Sequence, residues 1–284
     1  SNEREMFFIN TAQFANTQQL FPFIAHEFQH LISFHQKENL RQVSDDIWLN
    51  ELRSEYAPTL LGYNMPYEGS NLERRTQSFL NQPSDSVTEW RNLLPDYGQV
   101  ALLGEYMAEH WSARAIGDTL ATSAISIQSI NEALLRNSYQ ETFYEVFASW
   151  MIANFFNDQS MGPRYGYTIS GLRNLRVAPT AFISSLADDD AIVIPISMKD
   201  WEQRWYDIRG LVPGSNSVLE IAVDSRVRVR MPYVAFHHDG SFEVRTVLLG
   251  PDMPKLQIPG AGTTVSRVVL MPYQGEKLSE FSSQ

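Results

Sequence analysis

Apolar residues recur every three or four positions through the first half of the chain and every second position through its last quarter. From Leu20 to His35 they fall at Phe21, Ile24, Phe28, Leu31 and Ile32, a stripe that predicts a helix anchored in a core. Pro22 suits its first turn, and Asn16 or Thr17 stands where a cap belongs. A second helix is predicted over 45–56, with an acidic start, Ser44 as cap, and Trp48 and Leu52 on one face. Further helices are expected at about Leu72–Leu80, Gln99–Ala115, Ile127–Arg136 and Gln140–Asn157. The last two positions of change are at the ends: Met6–Asn10 reads as a short strand, and after residues 160–185 the period becomes two. Ser217–Val223, Val227–Phe236, Ser241–Leu249 and Thr263–Met271 alternate, and His238-Asp239-Gly240 marks a hairpin turn. The expected fold class is α+β: a mainly helical domain over 1–165, then a small antiparallel β-sandwich over 166–284.

Composition narrows the classes. A chain of 284 residues with 43% hydrophobic and 12% aromatic residues can bury a sizeable core and is long enough for two domains. A net charge of −11 repels phosphate backbones, so nucleic acid is not an expected partner. No apolar run approaches the length of a membrane span. The absence of cysteine excludes disulfides and thiolate metal sites without fixing the compartment. Opening on Ser-Asn without Met reads as a processed or trimmed chain. Asp188-Asp189-Asp190 lacks the alternating oxygen ligands of a calcium loop and reads as a solvated turn.

Candidate chemistry sits in the first helix. His26-Glu27-Phe28-Gln29-His30 is an H-E-x-x-H pentapeptide. Residues four apart share a helix face, so His26 and His30 can bind one metal ion, with Glu27 beside them as a base for water. The pentapeptide alone is also what two ordinary histidines on an amphipathic helix look like. The second helix adds weight. Glu51 and Glu55 lie one turn apart beside Trp48 and Leu52, and carboxylates on an apolar face are costly unless they meet cations or metal. Two His, one Glu and an open fourth position make a catalytic zinc geometry.

With Glu51 standing 21 residues after His30, in W-L-N-E-x-x-S-E, the chain resembles the gluzincin clan of zinc peptidases. More narrowly it resembles the hyicolysin-like bacterial metallopeptidases. Their H-E-F-Q-H-x-I and W-x-N-E-G-x-S-E patterns are matched by His26 to Ile32 and Trp48 to Glu55, with Leu52 where Gly is usual. Phe147 to Asn154 matches the family's F-x-x-W-x-x-A-N closing helix, and the resemblance runs from about Glu5 to Tyr167. It implies a zincin-type catalytic domain with Zn2+ held by His26, His30 and Glu51. It makes Glu27 the general base and proton shuttle. Glu55 would accept the second ring N–H of His26, and Asn50 would do the same for His30. Gluzincins place a His or Tyr ahead of a downstream helix to meet the developing oxyanion, which points to Tyr97 in Leu94-Pro95-Asp96-Tyr97-Gly98. A buried turn tyrosine is the equal alternative there, and mid-helix His110 is a rival donor. In this clan an edge strand pairs with the substrate backbone. Only Met6–Asn10 fits that place here, so the rest of such a sheet is upstream or absent.

The function implied is a zinc endopeptidase acting on protein or peptide substrates, secreted or at the cell envelope. No G-x-M-E-N motif, which holds the free amine in the aminopeptidases, is present. Two other readings remain open at this level: an aminopeptidase of the same clan, and a binding or adhesion protein on a retired protease scaffold. Neither oligomeric state nor substrate is legible.

Overall fold

The computed structural model describes residue 6, residues 17–186, 191–212 and 217–277. The predicted strand at Met6–Asn10, apart from Met6, and the Asp188-Asp189-Asp190 turn lie outside the described residues. The chain divides into two compact units, the first ending at Arg176 and the second spanning Val177–Leu278. The fold is mixed α and β, with seven α-helices and two sheets rich in antiparallel pairing among the described residues.

All the helices belong to the first unit. They are α1 (Thr17–Phe34), α2 (Ile47–Leu60), α3 (Asn71–Asn81), α4 (Leu94–Trp111), α5 (Ala113–Asp118), α6 (Ser126–Arg136) and α7 (Phe143–Phe156). Large side chains of α2, α3, α4 and α7 fill the core: Trp48, Leu52, Phe79, Trp111, Phe147 and Trp150 are all fully buried. The predicted helix from Gln99 starts five residues earlier. Pro95 sits in its first turn, and Asp96 Oδ2 accepts from the backbone N–H of Arg91 at 2.9 Å and of Leu93 at 2.8 Å. It stops at Trp111 because Ser112 turns left-handed, at φ 86°, and its hydroxyl caps α5. Two glycines set how closely α4 approaches its neighbours. A Cβ on Gly98 would stand 2.7 Å from the Phe79 backbone nitrogen, and one on Gly104 would stand 3.3 Å from the Leu52 carbonyl oxygen.

The helix α1 departs from its sequence reading. Leu20, Pro22, Ala25 and Ser33 are buried, whereas Phe21 is 48% exposed, Phe28 55% and Ile32 36%. His26 and His30 face Glu51 on α2, and much of the apolar stripe is left exposed, although Phe21 stacks on Tyr63 and Ile24 and Leu31 are half-buried.

Beyond Phe34 the chain makes a π-helical turn over His35–Asn39 that buries Lys37. Its ammonium donates to the carbonyls of Thr122 at 3.0 Å and Ala124 at 2.7 Å. Arg53 on α2 donates to Thr119 Oγ1 at 3.1 Å and Asp45 Oδ2 at 2.8 Å, and Asp45 Oδ1 accepts from the Ser126 N–H at 3.0 Å. The segment 119–126 therefore ties together the end of α1 and the start of α2. Burying these charges is tolerable only because each is paired.

A buried carboxyl on α4 has a measurable consequence. Glu105 on α4 is 1% exposed and accepts a hydrogen bond from the Thr59 hydroxyl. Burial pushes its pKa up to about 8, with the neighbouring charge of Glu109 adding to it. The folded state thus holds a proton that the unfolded chain releases near its ordinary 4.5. This contribution is complete below that value, declines as pH rises, and is lost beyond about 8. Glu105→Gln should therefore gain stability relative to wild type progressively from pH 5 to 8 and hold a constant advantage above. Urea denaturation across that range reads it, and a pH-independent difference would refute the buried proton.

The second unit contains β1 (Ala181–Ile183), β2 (Tyr206–Arg209), β3 (Val218–Ala222), β4 (Val229–His237), β5 (Phe242–Leu249), β6 (Lys255–Pro259) and β7 (Val265–Leu270). Five strands form one sheet in the order β1-β2-β7-β4-β5, and β3 pairs with β6 in another. Both sheets contribute to one apolar core that includes Ile208, Leu219, Met231, Ile258 and Val268. All four predicted strands are present. The wholly antiparallel expectation needs correction at β1, which pairs parallel with β2. The long connection between them, residues 184–205, gives the reach that a parallel crossover needs.

Candidate metal centre

The two helices α1 and α2 lie side by side and bring three side chains to a point. His26 and His30, one turn apart, aim their Nε2 atoms at each other across 3.1 Å. Glu51, in the second turn of α2, places Oε2 at 3.3 Å from His26 Nε2 and Oε1 at 3.6 Å from His30 Nε2. One ligand atom from each of the three residues lies within 4.8 Å of the others, so the group can hold a metal ion. Metal–ligand bonds of about 2.0–2.1 Å in a tetrahedron put neighbouring ligand atoms roughly 3.3 Å apart, which is the spacing found here.

The electrostatics favour a cation. Burial works against a charged His26 ring, yet the Glu51 carboxylate oxygen 3.3 Å from Nε2 and the charges of Glu55, Glu51 and Glu27 together raise its pKa above the ordinary histidine value. Glu51 Oε2 is buried and has no hydrogen-bond partner. An unsatisfied carboxylate oxygen facing two imidazoles is costly, and a divalent ion would satisfy all three groups at once. Nitrogen donors with one carboxylate suit zinc among the common ions better than magnesium or calcium.

Around the three ligands the remaining contacts fix ring orientation. Glu55, whose side chain is fully buried, stands 3.5 Å from His26 Nδ1. It accepts from Asn71 Nδ2 at 2.9 Å and from Arg75 through Nε at 2.9 Å and Nη2 at 2.5 Å. The expected partner of His30 is corrected. Ser54 Oγ meets His30 Nδ1 at 3.1 Å, while Asn50 Oδ1 is buried without a partner. The packing of α2 on α1 brings the residue three after Glu51 to the ring, not the one before it. Ser54, Asn71 and Arg75 were not assigned from sequence. Arg75 did leave a trace there: it shares the α3 face of buried Leu72 and Phe79, where a cation is out of place unless paired.

Tyr97 lies in the first turn of α4, inside the helix and not ahead of it. Its hydroxyl donates to Asn92 Oδ1 at 2.7 Å, its ring stands edge-on to Trp90, and the Arg75 guanidinium lies 4.4 Å above it. Burial raises its pKa, and the charge of Glu51 adds to that, so the phenol is neutral and within the field of the centre. His110 is tied elsewhere, with Nε2 3.1 Å from the Gly166 carbonyl oxygen and its ring edge-on to Tyr106. Burial lowers its pKa. Glu27 is half-buried beside His26 on α1. A cavity of about 350 Å³ opens next to His30, lined by Leu31, Phe34, Lys37, Asp45, Asn50 and Arg53.

No family model matches this chain, and no curated protein matches it. The site's own geometry therefore carries the functional argument. Among the described residues no helix is long and apolar enough to cross a membrane.

Proposed function

We propose that this chain is a zinc-dependent endopeptidase of zincin type. What supports the reading above all is the meeting of His26, His30 and Glu51 from two helices, with Glu27 adjacent. His26, His30 and Glu51 would hold the zinc, whose chemistry there would be to lower the pKa of a water molecule and polarise the carbonyl to be attacked. Glu27 takes the proton of the attacking water and returns it to the leaving amine. Glu55 and Ser54 hold the far ring nitrogens of His26 and His30, leaving both Nε2 atoms for the metal. Tyr97 supplies a neutral donor for the oxygen that becomes negative, and leaves Asn92 to do so. The cavity beside His30 is large enough for a side chain of the peptide.

The test is metal removal. The purified chain should carry about one equivalent of zinc. Dialysis against a chelator should abolish casein hydrolysis, and added Zn2+ should restore it. Undiminished hydrolysis by metal-free protein would overturn the assignment, and so would a chain that takes up no zinc.

A further inference from the structure

Glu55 poses a problem that the metal centre alone does not solve. Its carboxylate is fully buried, and the His26 imidazole stands 3.5 Å from it. The cation that answers it comes from another helix. Arg75 on α3 grips Glu55 through two parallel N–H bonds, one to each oxygen. The central carbon of the same guanidinium lies over the Tyr97 ring, 4.4 Å from its centre. A planar fork that pairs bidentately at its edge and stacks through its face is a property of arginine, which lysine lacks.

We infer that Arg75 is a positioning residue that couples the two halves of the site, setting the His26 ring through Glu55 and holding the Tyr97 ring in place. This inference rests on the endopeptidase reading. Neither role needs contact with substrate. The first orients a ligand of the metal, and losing such support costs about 10–100-fold in metal affinity. The second holds the phenol against the same guanidinium, so one residue sets both metal affinity and turnover. Asn71 gives Glu55 a further hydrogen bond but no charge.

The experiment uses the full chain, freed of metal and titrated with Zn2+ against a chromophoric chelator. Arg75→Met should weaken zinc binding about 10–100-fold, and Arg75→Lys should recover only part of that. In a Glu55→Gln background the same Arg75→Met change should cost less than about twofold, because the effect passes through Glu55. At saturating zinc, Arg75→Met should still lower kcat for casein while leaving KM near wild type. Arg114→Gln, exposed on α5, serves as the unaffected control. Melting of the metal-free proteins shows whether each variant folds, and Arg75→Lys carries the test if Arg75→Met does not. Wild-type zinc affinity in Arg75→Met or Arg75→Lys overturns the inference. So do equal costs of Arg75→Met with and without Glu55. A wild-type chain that binds no zinc overturns the endopeptidase reading itself, and this inference falls with it.

Discussion

Replacing Glu27 by Gln is expected to lower kcat for casein hydrolysis by about 10²–10⁴-fold while the protein keeps its zinc. The substitution preserves the side chain's size and a hydrogen-bonding oxygen but removes the ability to accept a proton at neutral pH. Glu27 is not among the three side chains that could hold the ion, so the metal should stay bound. Its charge is the last of those that raise the His26 pKa, with Glu51 and Glu55 ahead of it, so the ring's surroundings change little. The loss should appear in kcat, not KM, because the proton moves only as the transition state forms. Rates and zinc content measured on the same preparation decide it. Equal hydrolysis by both proteins would remove Glu27 from the chemistry.

The second large effect is expected at Glu51. Apparent binding energies of about 10–16 kcal/mol for structural zinc, shared over three or four ligands, make one ligand worth about 3–4 kcal/mol. Glu51→Ala should therefore weaken zinc binding about 10²–10³-fold. It would leave two imidazoles at 3.1 Å with no anion between them, a pair that a cation no longer closes into a site. The carboxylate also contributes, through its hydrogen bond and its charge, to the raised His26 pKa. Zinc titration of the metal-free variant gives the number. Wild-type affinity would mean that the ion, if bound at all, sits elsewhere.

What could be read from the chain depended on how far apart in sequence the partners lie. His26 and His30 are one helical turn apart, and Glu51 with Glu55 another, so helix geometry alone fixed the faces they share. Which α2 residue would reach the far nitrogen of His30 depended on how α2 crosses α1, and no periodicity carries that angle. Ser54 takes the place expected for Asn50 for this reason. Arg75 and Asn71 come from a third helix, 20 and 16 residues beyond Glu55, and only tertiary packing brings them in. The aliphatic stripe of α1 was recognised, but the side on which it would be covered was not. In the second unit, alternation located β3, β4, β5 and β7. It missed β1 and β2, which are three and four residues long, and β6, which follows Pro254 and ends on Pro259. Runs that short carry too little pattern to separate from a loop.

The strut at 119–126 gives the candidate metal centre an unexpected weak point. Its Thr122 and Ala124 carbonyls anchor Lys37, and its Thr119 hydroxyl and Ser126 amide anchor Arg53 and Asp45. These few peptide groups perform no chemistry, yet they clamp the rails on which the ligands ride. An insertion or proline there would spread the two rails by a fraction of an ångström, and the imidazoles would no longer converge with the carboxylate. Damage so far along the chain would be registered first as lost affinity for the ion, well before the rest of the helical unit gave way.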